Sequence, residues 1–492
     1  MSKTSRRASK IIALCLPAIF LLALAVAVFT FQSRSDESNW QWVSNNNNHR
    51  QEIRIRGNVQ FTDDESDVKS ISTDGYLLIR EKTASTDRQY EVRTDGHSNV
   101  ERIFTVRGER QSIDADARRW IAEMILQAIR QTGYNASGRV ERILKQNGPT
   151  GVLSEISLIS SDTAKRIYFE ELIKRGHLDA ALNQRAVQQA AHEISSDGAK
   201  AILFEKWSEL YTANDATVSS FIEGTNSISS DSSHAEVLIE ILRRPNLTRA
   251  QLSEVFRSVK RISSDSQKRT VLGKIADNRL SDDSIVVEYV STAESISSDS
   301  EHRKALLAIL NKPRISNQNL IQIMQAVRGI SSDAEKGIVL TTVLDSVSSD
   351  PNAVVPQYLD AARSISSDSE RGRVVTALLR KSNLSPDTFI SVFRSMEAFS
   401  SDSEKARILT RAVAVCPSKD NVISALLIAV KRMSSDSAKA QVLTLLMEKT
   451  GLSRSVLEQT LDLATNDIGS RSARAGVLDM VHERILRESP KR

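Results

Sequence analysis

Three hydrophobic patterns succeed one another along the chain, and each predicts a different kind of element. Residues 11–31, IIALCLPAIFLLALAVAVFTF, are 21 uncharged and almost wholly apolar positions. In a helix they cover about 30 Å, the hydrocarbon thickness of a bilayer, so the run predicts a transmembrane helix. Residues 32–50, with Asn45 to Asn48, are polar and aperiodic and predict a linker. Trp40 and Trp42 within it suit either the membrane interface or the domain that follows. Over 51–110 the period becomes two: Ile53, Ile55, Val59, Phe61, then Tyr76, Leu78, then Tyr90, Val92, and later Ile103 with Phe104, Val106. Asp74-Gly75 and Asp95-Gly96 add turn chemistry. This predicts a small antiparallel β-meander of four or five strands with one polar face.

Beyond residue 110 the spacing is helical. Asp114 or Asp116 caps a helix whose stripe is Trp120, Ile121, Met124, Ile125, Ala128 and Ile129, and Gly133 ends it. Two short helical stretches follow, around 140–144 and 152–159, separated by Asn147-Gly148-Pro149. Residues 111–159 thus form a helical N-terminal cap to what comes next.

From residue 160 to 490 the phrase Ile-Ser-Ser-Asp-Ser returns at a nearly fixed interval. Its aspartates are Asp162, Asp197, Asp231, Asp265, Asp299, Asp333, Asp368, Asp402 and Asp436, in steps of 34 or 35, and a worn tenth copy has Arg471 in the Asp position. Such a period means stacked supersecondary units, each burying its apolar face only against its neighbours. Six and seven residues after the Asp come apolar pairs such as Val271-Leu272 and Val374-Val375, one helical face two turns in. The second Ser is followed three residues later by Glu or Gln at Ser264–Gln267, Ser298–Glu301, Ser332–Glu335, Ser367–Glu370 and Ser401–Glu404, which predicts capping boxes. Thr248, Ser281, Ser316, Ser349, Ser385, Ser418 and Ser453 fall half a period along and predict a second helix start. The expected fold is mainly α: a right-handed α-solenoid of about ten helix hairpins of 34–35 residues, preceded by the transmembrane helix and the β-meander.

These helix pairs resemble HEAT-like α-solenoid repeats. The phrase Ile-Ser-Ser-Asp-Ser-x-Lys-x-x-Val-Leu, as in Ile262 to Leu272, also resembles repeats appended to some bacterial membrane metallopeptidases of the BlaR sensor type, and repeats of exported bacterial proteins. The resemblance covers 160–480 and implies a scaffold only. The peptidase signature His-Glu-x-x-His is absent, and His482-Glu483 lacks the second histidine.

Charge and composition narrow the function. The net charge of +5 arises from 66 basic and 61 acidic side chains, a weak footing for nucleic-acid binding. Lys3, Arg6, Arg7 and Lys10 within 1–10, with no acid, place that flank in the cytoplasm and the bulk of the chain outside the inner membrane. Cys15 and Cys416 cannot build a disulfide framework or a thiolate metal site. The seven histidines show no metal-ligand spacing, and the serines are accounted for by capping, so no catalytic residue, cofactor or metal is expected. Two columns recur in the repeats. The nine aspartates are expected as structural helix caps. Three residues further on stand Lys165, Lys200, His234, Lys268, His302, Lys336, Arg371, Lys405, Lys439 and Arg474, and the cations among them form a candidate ridge for an anion or partner. The expected function is a membrane-anchored extracytoplasmic scaffold binding a protein of the cell envelope. The rival is a sensor or enzyme-linked module, its ligand held by the β domain near His97.

Overall fold

The structure, a computed structural model, describes residues 28–488 except 35–36, 47, 74, 95–98, 211–214, 280–282, 313–314 and 348–349. Its contacts divide the chain into two compact units that meet between His177 and Leu178. Among the described residues no helix is long and apolar enough to cross a membrane. Residues 11–27 of the expected span lie outside the described residues, while residues 28–31 open a β-strand.

Among the described residues the first unit holds nine strands: β1 (Val28–Arg34), β2 (Glu37–Asn46), β3 (His49–Arg56), β4 (Val59–Phe61), β5 (Val68–Ile71), β6 (Tyr76–Lys82), β7 (Asp87–Thr94), β8 (Val100–Val106) and β9 (Glu109–Gln111). Seven form an antiparallel meander in the order β1-β2-β3-β6-β7-β8-β9, with β4-β5 set aside as a separate hairpin. The expected linker over 32–50 is therefore largely strand. Trp40 and Trp42 sit opposite Ile55 and Ile53 on the inward face, and Trp42 is buried in the core. The β3–β6 pairing sets Ile53 against Ile79 and Ile55 against Leu77, and β7 continues the row with Tyr90 and Val92. The inward residues of β6 are thus Leu77 and Ile79, not Tyr76 and Leu78; in an unbroken Leu-Leu-Ile run either alternation fits. The last hairpin turns at Arg107-Gly108, both with positive φ, which matches the twist of the flanking strands.

One helix, α1 (Ala115–Thr132), lies across this face. Asp114 is its N-cap and Gly133, at φ 69, its left-handed C-cap. Its apolar stripe meets the sheet directly: Trp120, Met124, Ile125 and Ala128 share one core with Leu77, Ile79, Tyr90 and Phe104. Polar ties surround that core. Trp120 donates from Nε1 to Glu81 at 2.9 Å, and Gln127 pairs with Gln51 at 2.9 Å. Helix α2 (Ala136–Ile156) breaks at Gly148-Pro149, where Gly148 takes φ 64. A buried ion cluster then binds the β4–β5 hairpin to the helices. Arg139 donates to Glu65 at 2.9 Å and to Glu155 at 2.8 Å, touches the Tyr168 hydroxyl at 3.2 Å, and is flanked by Arg130 and Arg142.

The helices that open each repeat are α3 (Asp162–Arg175), α5 (Asp197–Leu210), α7 (Asp231–Leu242), α9 (Asp265–Arg279), α11 (Asp299–Leu310), α13 (Asp333–Ser346), α15 (Asp368–Leu378), α17 (Asp402–Val415), α19 (Asp436–Glu448) and α21 (Arg471–Glu488). Those that close them are α4 (Ala180–Glu193), α6 (Asp215–Thr225), α8 (Arg249–Val259), α10 (Asp283–Ala293), α12 (Asn317–Ala326), α14 (Val355–Ala362), α16 (Pro386–Ser395), α18 (Asp420–Lys431) and α20 (Arg454–Asp467). Helix α3 carries the first Ser-Ser-Asp and lies within the first of the two compact units. In the second unit each helix packs on the one two places along, opening on opening and closing on closing, which makes two layers. The apolar pairs at six and seven residues after the Asp face inward in each copy named above, as Val271 and Leu272 do with no exposure. At the half-period starts, Thr248, Ser316, Ser385 and Ser453 are N-caps. Ser281 and Ser349 fall outside the described residues. Ser418 is not a cap: its hydroxyl donates to the Thr450 carbonyl, and Lys419 stands at the N-cap position.

Candidate functional site

Each Ser-Ser-Asp copy is built from the backbone outward. The residue three before the Asp closes the preceding hairpin into the core: it is Ile in eight copies, Phe399 and Met433 in the others, all buried. The second serine is the N-cap of the opening helix. Ser161, Ser230, Ser332, Ser367, Ser401 and Ser435 each accept from the amide three residues on. Ser298 occupies the same place without that bond, its hydroxyl lying 3.3 Å from Ser300. The final serine of the phrase supports the cap in this way elsewhere too, as Ser403 does for Ser401 at 2.8 Å.

The aspartates do something other than the capping expected of them. Each is the first residue inside its own helix, from Asp162 to Asp436, and in the second unit its carboxylate reaches the next copy of the phrase. Asp231, Asp299, Asp333, Asp368 and Asp402 each accept from both serine amides of the following repeat, at 2.6–3.0 Å. Asp197, Asp265 and Asp436 accept from the second serine at 2.7 Å. This explains a second departure. In a capping box the Glu at the third helical position returns to the N-cap amide, but here that amide already donates to the preceding Asp. The glutamates turn instead to arginines: Glu370 to Arg373 at 2.8 Å, Glu404 to Arg407 at 2.6 Å, Glu301 to Arg269 at 3.1 Å. The reciprocal box is complete at Thr248–Gln251, where no such Asp competes.

The cation column completes the joint. Lys200, Lys268, Lys336 and Lys439 donate from Nζ to the carbonyls of Ser227, Ser295, Ser364 and Asp467, at 2.6–2.8 Å. Each carbonyl lies four residues before the next Asp position, at the C-terminal end of a closing helix, where carbonyls lack helical partners and a cation complements the dipole. Arg371 reaches the equivalent Ala398 carbonyl and also pairs with Asp368 at 3.0 Å. Lys405 pairs with Asp402 at 3.2 Å. Lys165, Lys200, Lys268, Lys336, Arg371 and Lys439 are 7–9% exposed, with Lys405 and Arg474 half-buried. The column is therefore no solvent-facing ridge: Lys200, Lys268, Lys336, Arg371 and Lys439 are drawn inward onto backbone and Lys405 onto Asp402.

Two repeats place histidine at this position. His234 is buried and shares Nε2 with the Ser258 hydroxyl at 2.8 Å, and Ser258 donates on to Asn226 at 2.8 Å. Burial pushes the His234 imidazole down to about 4 and lowers His302 as well, so both stand neutral at pH 7. With the serine proton directed to Asn226, His234 acts as donor. The trio is a hydrogen-bond chain in place of the lysine clamp rather than a base poised on a nucleophile. Burial opposes ionisation of Asp333 and Asp402, yet the serine amides, with Lys336 and Lys405 beside them, outweigh it and hold both carboxyls below the usual range.

Among the described residues no three His, Cys, Asp or Glu side chains converge as metal ligands. His97 lies outside the described residues, and the face where the rival reading would put a pocket is filled by the core that α1 and the sheet share. Several open grooves occur on the described residues of the repeat unit, and two of them contrast in charge. One, of about 510 Å³, crosses α13, α15 and α17 and is lined by Arg373, Arg380, Lys381 and Arg407 with a single carboxylate, Asp345. The other, of about 490 Å³, crosses α4, α6 and α8, where Arg257 and Arg261 are balanced by Glu223 and Glu254. The sequence signal for the first is a local excess of cations, Arg373, Arg380 and Lys381 within one repeat, which the periodic reading averages away. Comparison with protein-family models and with curated proteins finds no match.

Proposed function

We propose that the chain is a non-catalytic, membrane-anchored scaffold whose helical repeat is a right-handed HEAT-like α-solenoid, displayed outside the inner membrane to bind a protein partner of the envelope. The observation that carries this reading is the consumption of the repeated polar residues in joints. The Asp accepts from serine amides of the next repeat and Lys200, Lys268, Lys336, Arg371 and Lys439 donate to its backbone, so the charged groups left to face solvent are mostly those that vary from copy to copy. An extended surface with changing side chains suits recognition of another chain. The anchor rests on 11–31 by hydropathy; since strand β1 begins at Val28, the span shortens to 11–27, 17 residues, the lower limit for crossing. The similarity of the phrase to the repeats of BlaR-type membrane sensors agrees with an envelope location.

The test is cross-linking in intact cells with the full chain. A truncation after residue 50 would strip β2 and Trp42 from the sheet. Enrichment of one envelope protein, through cross-links on the repeat unit, is the expected outcome; repeated failure to enrich any overturns the scaffold reading.

A further inference from the structure

The groove across α13, α15 and α17 owes its charge to two glycines. In the two preceding repeats the fifth helical position is Arg269 or Arg303, which reaches forward to Glu301 or Glu335 of the next repeat. In the following two it is Gly337 and Gly372. A Cβ at Gly337 would lie 2.4 Å from Arg373 Nη2, and one at Gly372 2.6 Å from Glu404 and 2.7 Å from Arg407 Nη2. The missing side chains let the Glu370–Arg373 and Glu404–Arg407 pairs lie flat, so both guanidinium groups, 45% and 47% exposed, border the groove. Arg407 also donates to the Thr376 hydroxyl at 3.3 Å, which orients it further. Lys381 is held by Asp345 at 2.9 Å. Arg380 is exposed and makes no side-chain hydrogen bond or ion pair among the described residues.

We infer that this groove is the recognition site of the scaffold for a carboxylate-rich segment of its partner. The inference rests on the scaffold reading and names where and by what chemistry it acts. Four cations and one carboxylate line the groove; with Glu370 and Glu404, the partners of Arg373 and Arg407, counted as well, four cations meet three carboxylates and the excess of one falls at Arg380, whereas the groove over α4, α6 and α8 has two of each sign. Arg373 and Arg407 already spend Nε and Nη2 on Glu370 and Glu404, so the open fork is that of Arg380; a guanidinium fork pairs with a carboxylate through two parallel N–H donors, more strongly and specifically than a lysine point charge. The lining includes no aromatic ring, the platform on which nucleic-acid bases stack. A small floor of Thr376 and Ala377 leaves room for main chain to approach.

The experiment uses the full chain in detergent and a fluorescent oligoglutamate peptide, with a phosphoserine peptide, a sulfated polysaccharide and phosphatidylglycerol vesicles as competing probes. The expected result is salt-sensitive binding of oligoglutamate that weakens at least about tenfold in Arg380→Glu, by like-charge repulsion. The triple change Arg373→Gln, Arg380→Gln, Arg407→Gln should abolish it, and Arg257→Glu in the balanced groove should leave it intact. Circular dichroism separates a lost site from a lost fold, and Arg380→Glu removes no internal contact. Absence of oligoglutamate binding, binding indifferent to Arg380→Glu, or preference for any of the three competing probes overturns the inference. If the cross-linked partner is still captured by Arg380→Glu at full yield, the groove assignment falls and the scaffold reading stands. If oligoglutamate binds through Arg380 while no partner cross-links, the groove stands and the scaffold reading falls.

Discussion

The sheet unit and the repeat unit are held together on opposite plans. In the first the ties that join one element to another are each unique and link residues distant in sequence: Trp120 to Glu81, Gln51 to Gln127, the Tyr134 hydroxyl accepting from the Val59 amide at 2.7 Å, and Arg139 between Glu65 and Glu155. In the second one clamp is repeated between neighbours, an Asp on two amides and a cation on one carbonyl. Loss of one tie in the sheet unit should be felt throughout it. Loss of one clamp should weaken a single repeat interface, since stability there is a sum of local terms.

The contrast can be tested from the largest effect downward. Arg139→Met should cost the sheet unit about 3 kcal/mol, the low end for breaking a buried ion pair, because Arg130 and Arg142 still hold the two carboxylates. Urea unfolding followed by Trp120 fluorescence reads it, and the repeat unit should keep its own transition. In the repeats, acid should act through histidine first. His234 has a folded pKa of about 4 against the ordinary 6.5 of a histidine, so the unfolded chain binds the extra proton. Stability should be full above about pH 6.5 and fall towards pH 4, by on the order of 2–3 kcal/mol. His234→Gln should flatten that part of the profile and leave the part due to His302. The depressed carboxyls Asp333 and Asp402 add a further loss only below the ordinary carboxylate range.

Smaller effects sharpen the same contrast. Asp368→Ala strips an acceptor from two amides and should cost about 2 kcal/mol, and Asp436→Ala, with one amide, about 1 kcal/mol. Lys336→Met keeps the buried stem but removes the charged donor to Ser364, with an expected cost of about 1–2 kcal/mol. Glu404→Gln, on the exposed pair with Arg407, should cost less than about 0.5 kcal/mol by thermal melting.

Periodicity revealed the hairpin register, because a cap and the apolar pair behind it lie within one helix and depend only on local geometry. It did not reveal where Asp368 points, since its partners Ser400 and Ser401 lie 32 and 33 residues on. The steady recurrence of an Asp beside a Ser already sufficient as a cap was the available hint. The sheet was harder to read. Trp40 and Trp42 alternate as a strand should, but two apolar residues before a run of asparagines make a weak period. In β6 the choice between Tyr76-Leu78 and Leu77-Ile79 is settled only by pairing with β3 and β7. The groove was illegible for a different reason: its walls come from three repeats, and its shape depends on side chains absent at Gly337 and Gly372.

The central claim is that Ser-Ser-Asp is a joint between repeats. Native-state hydrogen exchange on Asp368→Ala tests it most directly. The amides of Ser400 and Ser401 should lose protection by at least about tenfold, the equivalent of the hydrogen-bond cost above. Those of Ser366 and Ser367, held by Asp333, should keep theirs. Unchanged exchange at Ser400 and Ser401 would contradict the account.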